Sequence, residues 1–211
     1  GQIIEEPLKI HNIGDNESRK SEVLALIKRV GLNESSLDKY PHEFSGGQRQ
    51  RIGIARAIAL KPKLVICDEP VSALDVSIQS QILNLLMELQ QEMNMALLFI
   101  SHDLSVVRHI SDRVAVMYLG EIVETGNVQE LYSNPKHPYT KALIKAIPKP
   151  VAGAKIDFSP MQGDVPSPIN PPSACRFHPR CVHATEQCAN AAPEPEIING
   201  HSVSCHHWRT I

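Results

Sequence analysis

Apolar residues return at helical spacing in Val23, Leu26, Ile27 and Val30, and Gly31 directly behind them is a natural C-terminal stop. From Ser45 to Leu60 the same spacing predicts a second helix, with Ile52, Ala55 and Ala59 on one face and Lys61-Pro62 closing it. Leu64-Val65-Ile66-Cys67 is a short unbroken apolar run of the kind a parallel sheet buries on both faces. A long helix follows from about Val76 to Met93, turning Ile78, Ile82, Leu85, Leu86 and Leu89 inward. Leu97–Ile100 then predicts a strand, Leu104–His109 a helix and Val114–Met117 another strand, with Leu119-Gly120 as a hairpin turn into Ile122-Val123-Glu124. Strand and helix in alternation predict an α/β fold on a doubly wound parallel sheet. No internal repeat is visible.

Composition alters this picture only toward the end of the chain. The 211 residues suit one domain, or one domain with an appendage. Apolar residues at 42% and charged residues at 21% exclude wholesale disorder. With 21 Lys+Arg against 23 Asp+Glu the net charge is −2, which gives no support for nucleic acid or an anionic membrane surface as the main partner. No apolar stretch is long enough to span a bilayer and no secretory leader opens the chain, so a soluble intracellular protein is expected. From Pro148 onward, however, lie ten of the 16 prolines and four of the five cysteines. A boundary is expected near Pro148–Pro150, with a loop-rich tail beyond it. The chain also opens at Gly1 in what reads as the middle of a domain, which suggests a fragment.

In open α/β sheets ligands sit beyond the carboxyl ends of the strands. The first predicted strand ends in Asp68-Glu69, a pair suited to holding Mg²⁺ and to activating a water against a phosphate. The second ends in Ser101-His102-Asp103, which puts an imidazole within reach of the same water. Ser45-Gly46-Gly47-Gln48 opens a helix, where a Ser cap, bare backbone and the positive dipole end make an anion site. Each of these alone has an ordinary structural reading. In the tail, Cys175, Cys181, Cys188 and Cys205 are spaced C-x5-C-x6-C-x16-C, and a segment so poor in apolar residues needs a cross-link. Disulfides suit an oxidising compartment, zinc accepts four thiolates but lacks its usual short C-x2–4-C knuckles here, and an iron–sulfur cluster also takes four.

Taken together, Phe44–Arg51 (FSGGQRQR), Leu64–Pro70 (LVICDEP), Ser72–Asp75 (SALD) and Ser101–Asp103 (SHD) resemble the signature motif, Walker B motif, D-loop and switch histidine of ABC ATPases, in that family's order and spacing. Cys67–Ser77, Asp103–Gly120, His137–Leu143 (HPYTKAL) and the cysteine tail further resemble the ATP-binding subunits of oligopeptide and dipeptide importers. The resemblance implies a partial ABC-type P-loop NTPase domain over residues 1–147, with a helical subdomain to about residue 60 and the catalytic core after it. Residues 148–211 would then be the importer-type C-terminal region. It implies ATP with Mg²⁺: Asp68 in the Mg²⁺ shell, Glu69 as general base and His102 at the γ-phosphate. Ser45, Gly46, Gly47 and Gln48 would reach ATP on a second ATPase subunit, and Asp75 would signal along that interface. It implies two membrane permease subunits, an extracytoplasmic peptide-binding protein as an indirect partner, no nucleic acid, and a place on the cytoplasmic face of the membrane. For the four cysteines it implies a [4Fe–4S] cluster, with Zn²⁺ the alternative. The family's G-x-x-x-x-G-K-[ST] loop and glutamine loop are not found in these residues, so the expectation is the C-terminal portion of a subunit, inactive by itself. Alternatives are a soluble ABC ATPase of repair or translation, an importer of another cargo such as nickel, and a metal-binding interaction module.

Overall fold

Two units make up the chain, Gly1–His102 and Asp103–Ile211. The computed structural model describes residues 1–147 and 163–211, so the boundary expected near Pro148–Pro150 lies outside the described residues.

In the first unit, α1 (Gln2–Ile10), α2 (Asn16–Arg29) and α3 (Gly46–Ile58) pack on one another through Ile4, Leu8, Val23, Leu26, Ile27, Ile54 and Ile58. Helix α1 has no counterpart in the sequence reading. Pro7 lies inside it and removes one backbone donor, but burial of Ile4 and Leu8 offsets that loss. Gly31 takes φ +74° just beyond α2, as expected of a helix stop. Strands β1 (Leu64–Asp68) and β2 (Ala96–Ile100) pair in parallel, Leu64 opposite Ala96 through Asp68 opposite Ile100, and α4 (Val76–Met93) connects them. Helix α4 buries Ile82, Leu85, Leu86 and Leu89 as expected, and Asn94 ends it in the left-handed conformation. The expectation that β1 is buried on both faces fails. Leu64 is 52% exposed and Ile66 62%, with Leu98 at 51% beside them, because this sheet has two strands and alternate residues on one face go uncovered.

The second unit holds α5 (Leu104–Ile110), the hairpin of β3 (Arg113–Tyr118) and β4 (Glu121–Asn127), α6 (Val128–Ser133) and α7 (Pro138–Lys145). After residue 162 come α8 (Glu186–Asn190) and two short strands, β5 (Glu196–Ile198) and β6 (His201–Val203). The sheet runs β3-β4-β6-β5 with every pair antiparallel. Strand β3 therefore joins an antiparallel sheet rather than continuing the parallel one, since a two-residue turn at Leu119-Gly120 (φ +46° and +82°) returns the chain at once. The tail contributes strands as well as loops: Asn199-Gly200 (φ +52° and +80°) makes the same kind of turn and sets β6 against β5, and β6 also pairs with β4. Val114, Val116, Tyr118, Val123, Leu131 and Phe177 form the core.

Candidate functional site

Parallel register decides what meets at the ends of β1 and β2. Because Asp68 lies opposite Ile100, the residues that follow each strand emerge side by side, and the Glu69 amide donates to the Ile100 carbonyl at 3.0 Å. His102 Nδ1 then stands 3.1 Å from Glu69 Oε1, with both side chains at least half exposed. Glu69 reaches this position in the left-handed region, φ +46°, a strain of about 1–2 kcal/mol for a residue with a Cβ. The backbone amide and hydroxyl of Ser72 both donate to the Glu69 carbonyl, at 3.3 and 3.1 Å, and hold it there. Asp68 is exposed beside them. Among the described residues no three His, Cys, Asp or Glu side chains are arranged to hold a metal ion. An exposed carboxylate of this kind suits a cation that arrives already bound to phosphate and water.

A second group forms where α3 begins. Ser45 caps the helix: its hydroxyl accepts from the Gln48 amide at 3.3 Å, and the Gln48 side chain accepts from the Ser45 amide at 3.0 Å. Gly46 and Gly47 form the first turn, Gly47 buried. Asp75 caps α4, accepting from the Ile78 amide at 3.0 Å and the Ser77 hydroxyl at 2.7 Å; the Ser77 bond is the chief reason its carboxyl lies below the usual range. Gln79, absent from the sequence reading, donates from one amide nitrogen to the Val71 and Leu74 carbonyls at 3.0 and 3.1 Å. No sequence signal singled it out, since a glutamine on a helix reads as a solvated face.

The second unit contains a buried polar cluster that the sequence also hid. Glu124, 1% exposed, accepts from the Lys136 and His137 amides at 2.6 and 2.9 Å and meets His201 Nε2 at 2.6 Å. His137 caps α7 through Nδ1, which accepts from the Tyr139 amide at 3.1 Å, and burial pushes its pKa down to about 4. A carboxylate on the hairpin at Glu124 was the available signal.

Cys175, Cys181, Cys188 and Cys205 are free thiols near enough for their charges to interact, and the Cys175 amide donates to the Cys188 carbonyl at 3.1 Å. The expected [4Fe–4S] or Zn²⁺ site is not supported, because the described side chains form no metal-holding group. Burial pushes the Cys175 thiol up to about 11.

Residues 3–72 match the family model of the ABC transporter, and residues 123–188 that of the oligopeptide/dipeptide transporter, C-terminal region. The chain is similar to the oligopeptide transport ATP-binding protein AppF of Bacillus subtilis, 55% identical over 97% of this chain and 63% of that protein. It is also similar to the dipeptide transport ATP-binding protein DppF of Haemophilus influenzae, 50% identical over 98% of this chain and 64% of the other. It thus spans less than two thirds of the length of these relatives. Among solved structures it resembles the ATP-binding cassette MJ0796, in a dimeric post-hydrolysis state bound to ADP and Pi. That match has a TM-score of 0.53 and 31% identity over 59% of this chain and 54% of the other. Family models at both ends and relatives about half identical along nearly all of the chain agree on what it is similar to: the ABC transporter ATP-binding proteins of oligopeptide and dipeptide transport.

Proposed function

We propose that this chain forms the hydrolytic and partner-facing part of an ATPase subunit that drives uptake of oligopeptides or dipeptides. The observation that carries the proposal is the Glu69–His102 contact at the carboxyl ends of paired parallel strands, in a chain whose relatives are named for peptide transport. Asp68 would ligate, through water, the Mg²⁺ that accompanies ATP and screens its phosphate charge. Glu69 would take a proton from the attacking water as its oxygen bonds to the γ-phosphorus and the bond to the ADP oxygen breaks. His102, fixed on the Glu69 carboxylate, would orient that water and donate to the γ-phosphate.

Ser45, Gly46, Gly47 and Gln48 would present the start of α3 to ATP held by a second ATPase subunit, with Asp75 along the same interface. Two membrane permease subunits would convert closing and opening of that dimer into transport, supplied by an extracytoplasmic peptide-binding protein. This reading puts the subunit at the cytoplasmic face of the membrane. No described helix is long and apolar enough to cross one.

The test uses the full-length subunit assembled with its partner. Glu69→Gln is expected to lower turnover by about two to three orders of magnitude and to accumulate a nucleotide-bound closed dimer. Turnover equal to that of the unaltered assembly would remove Glu69 as the base.

A further inference from the structure

A Cβ added to Gly47 would lie 2.5 Å from Ile78 Cγ2, and one added to Gly46 would lie 3.3 Å from Leu74 Cδ2. The two glycines at the start of α3 are therefore filled from within the same chain, by the end of the 71–75 loop and the first turn of α4. That loop is not held by regular structure. Gln79 spans it, with one amide group donating to the carbonyls of Val71 and Leu74 at its two ends. At the loop's start, Ser72 donates twice to the carbonyl of the strained Glu69, whose carboxylate meets His102.

From this chain of contacts we infer that Gln79 is a positioning residue for hydrolysis. It fixes the loop so that Leu74 and Ile78 seat the Gly46-Gly47 turn at one end while Ser72 holds Glu69 at the other. The inference rests on the roles proposed above for Glu69 and the α3 start. It adds a direct mechanical link between them inside one subunit: displacement of the α3 turn moves Leu74 and Ile78, and through the stapled loop moves Glu69. It also gives Gly47 a second reason to lack a side chain, since even a methyl group forces Ile78 to shift.

Two sets of variants of the full-length subunit, assembled with its partner and permeases, test this. Gln79→Met keeps the shape of the side chain and removes both donors. The expected result is a kcat about tenfold lower with KM for ATP unchanged, and a melting temperature within a few degrees of the unaltered subunit. Gly47→Ala is expected to lose activity, and Gly47→Ala combined with Ile78→Ala, which opens the space, to regain about tenfold over the single variant. Glu69→Gln run alongside separates the two ways of failing. If it leaves turnover intact, the proposed function is wrong. If it abolishes turnover while Gln79→Met hydrolyses ATP normally, or if the double variant is no better than Gly47→Ala, the inference is overturned.

Discussion

Glu124 satisfies two backbone donors and one imidazole from a position with almost no access to water. Replacing it with alanine leaves the His201 imidazole and two amides without their acceptor, so Glu124→Ala is expected to destabilise the second unit by about 3–5 kcal/mol, read from urea unfolding. His137 makes a related contribution with a pH signature. Its Nδ1 must stay unprotonated to accept from the Tyr139 amide, and burial lowers its pKa from 6.5 to about 4. The neutral form stabilises the fold, so this contribution is complete above pH 6.5 and drains away as pH falls toward 4, a loss of about 3 kcal/mol. Amide exchange across α7 should quicken through that window. His137→Asn, which keeps a capping acceptor, should flatten the change. The Cys175 thiol follows the same logic of burial. With Cys175 pushed up to about 11, alkylation at pH 8 should be far slower for Cys175 in the folded subunit than in urea, as mass spectrometry would register.

Helices that depend on one strong local signal were legible in the sequence, and elements that depend on distant partners were not. Ser45 before α3, Gly31 after α2 and the apolar face of α4 all behave as their chemistry predicts. At Gly31, φ is +74° and an added Cβ would sit 3.0 Å from Arg51 Nη1, which donates to the Val30 carbonyl at 2.6 Å. Gly31→Ala should therefore cost about 1 kcal/mol in backbone strain, with the disturbed Arg51–Val30 bond adding to it, and lower the urea midpoint without altering its slope. Helix α1 escaped notice because Pro7 interrupts the local pattern, and only packing against α2 and α3 restores it. Strands β5 and β6 have three residues each and no apolar alternation long enough to read; they exist because β4 offers a free edge. At the candidate site, motif order pointed to Asp68, Glu69 and His102, and the register of β1 on β2 explains why two of them touch. Gln79 and the Glu124 cluster act through backbone carbonyls and amides, whose positions no sequence motif records.

At the scale of the molecule, one departure from an ordinary folded surface among the described residues is the uncovered row of Leu64, Ile66, Leu98 and Ile100 on β1 and β2. Ile66 and Leu98 are cross-strand partners at its centre. Prepared as these 211 residues, the chain is expected to self-associate through that face. Ile66→Thr with Leu98→Thr should move its mass by light scattering toward that of a monomer. The other feature of molecular scale is the pairing of Glu124 with His201, 77 residues further along the chain. For a chain made from its amino terminus, the hairpin of β3 and β4 can form early, but its buried carboxylate has no imidazole until His201 has been synthesised. The second unit therefore waits on a distant strand: a ribosome paused before residue 201 would hold a hairpin whose buried carboxylate still lacks its imidazole partner, and the arrival of β6 would be the step that closes this sheet.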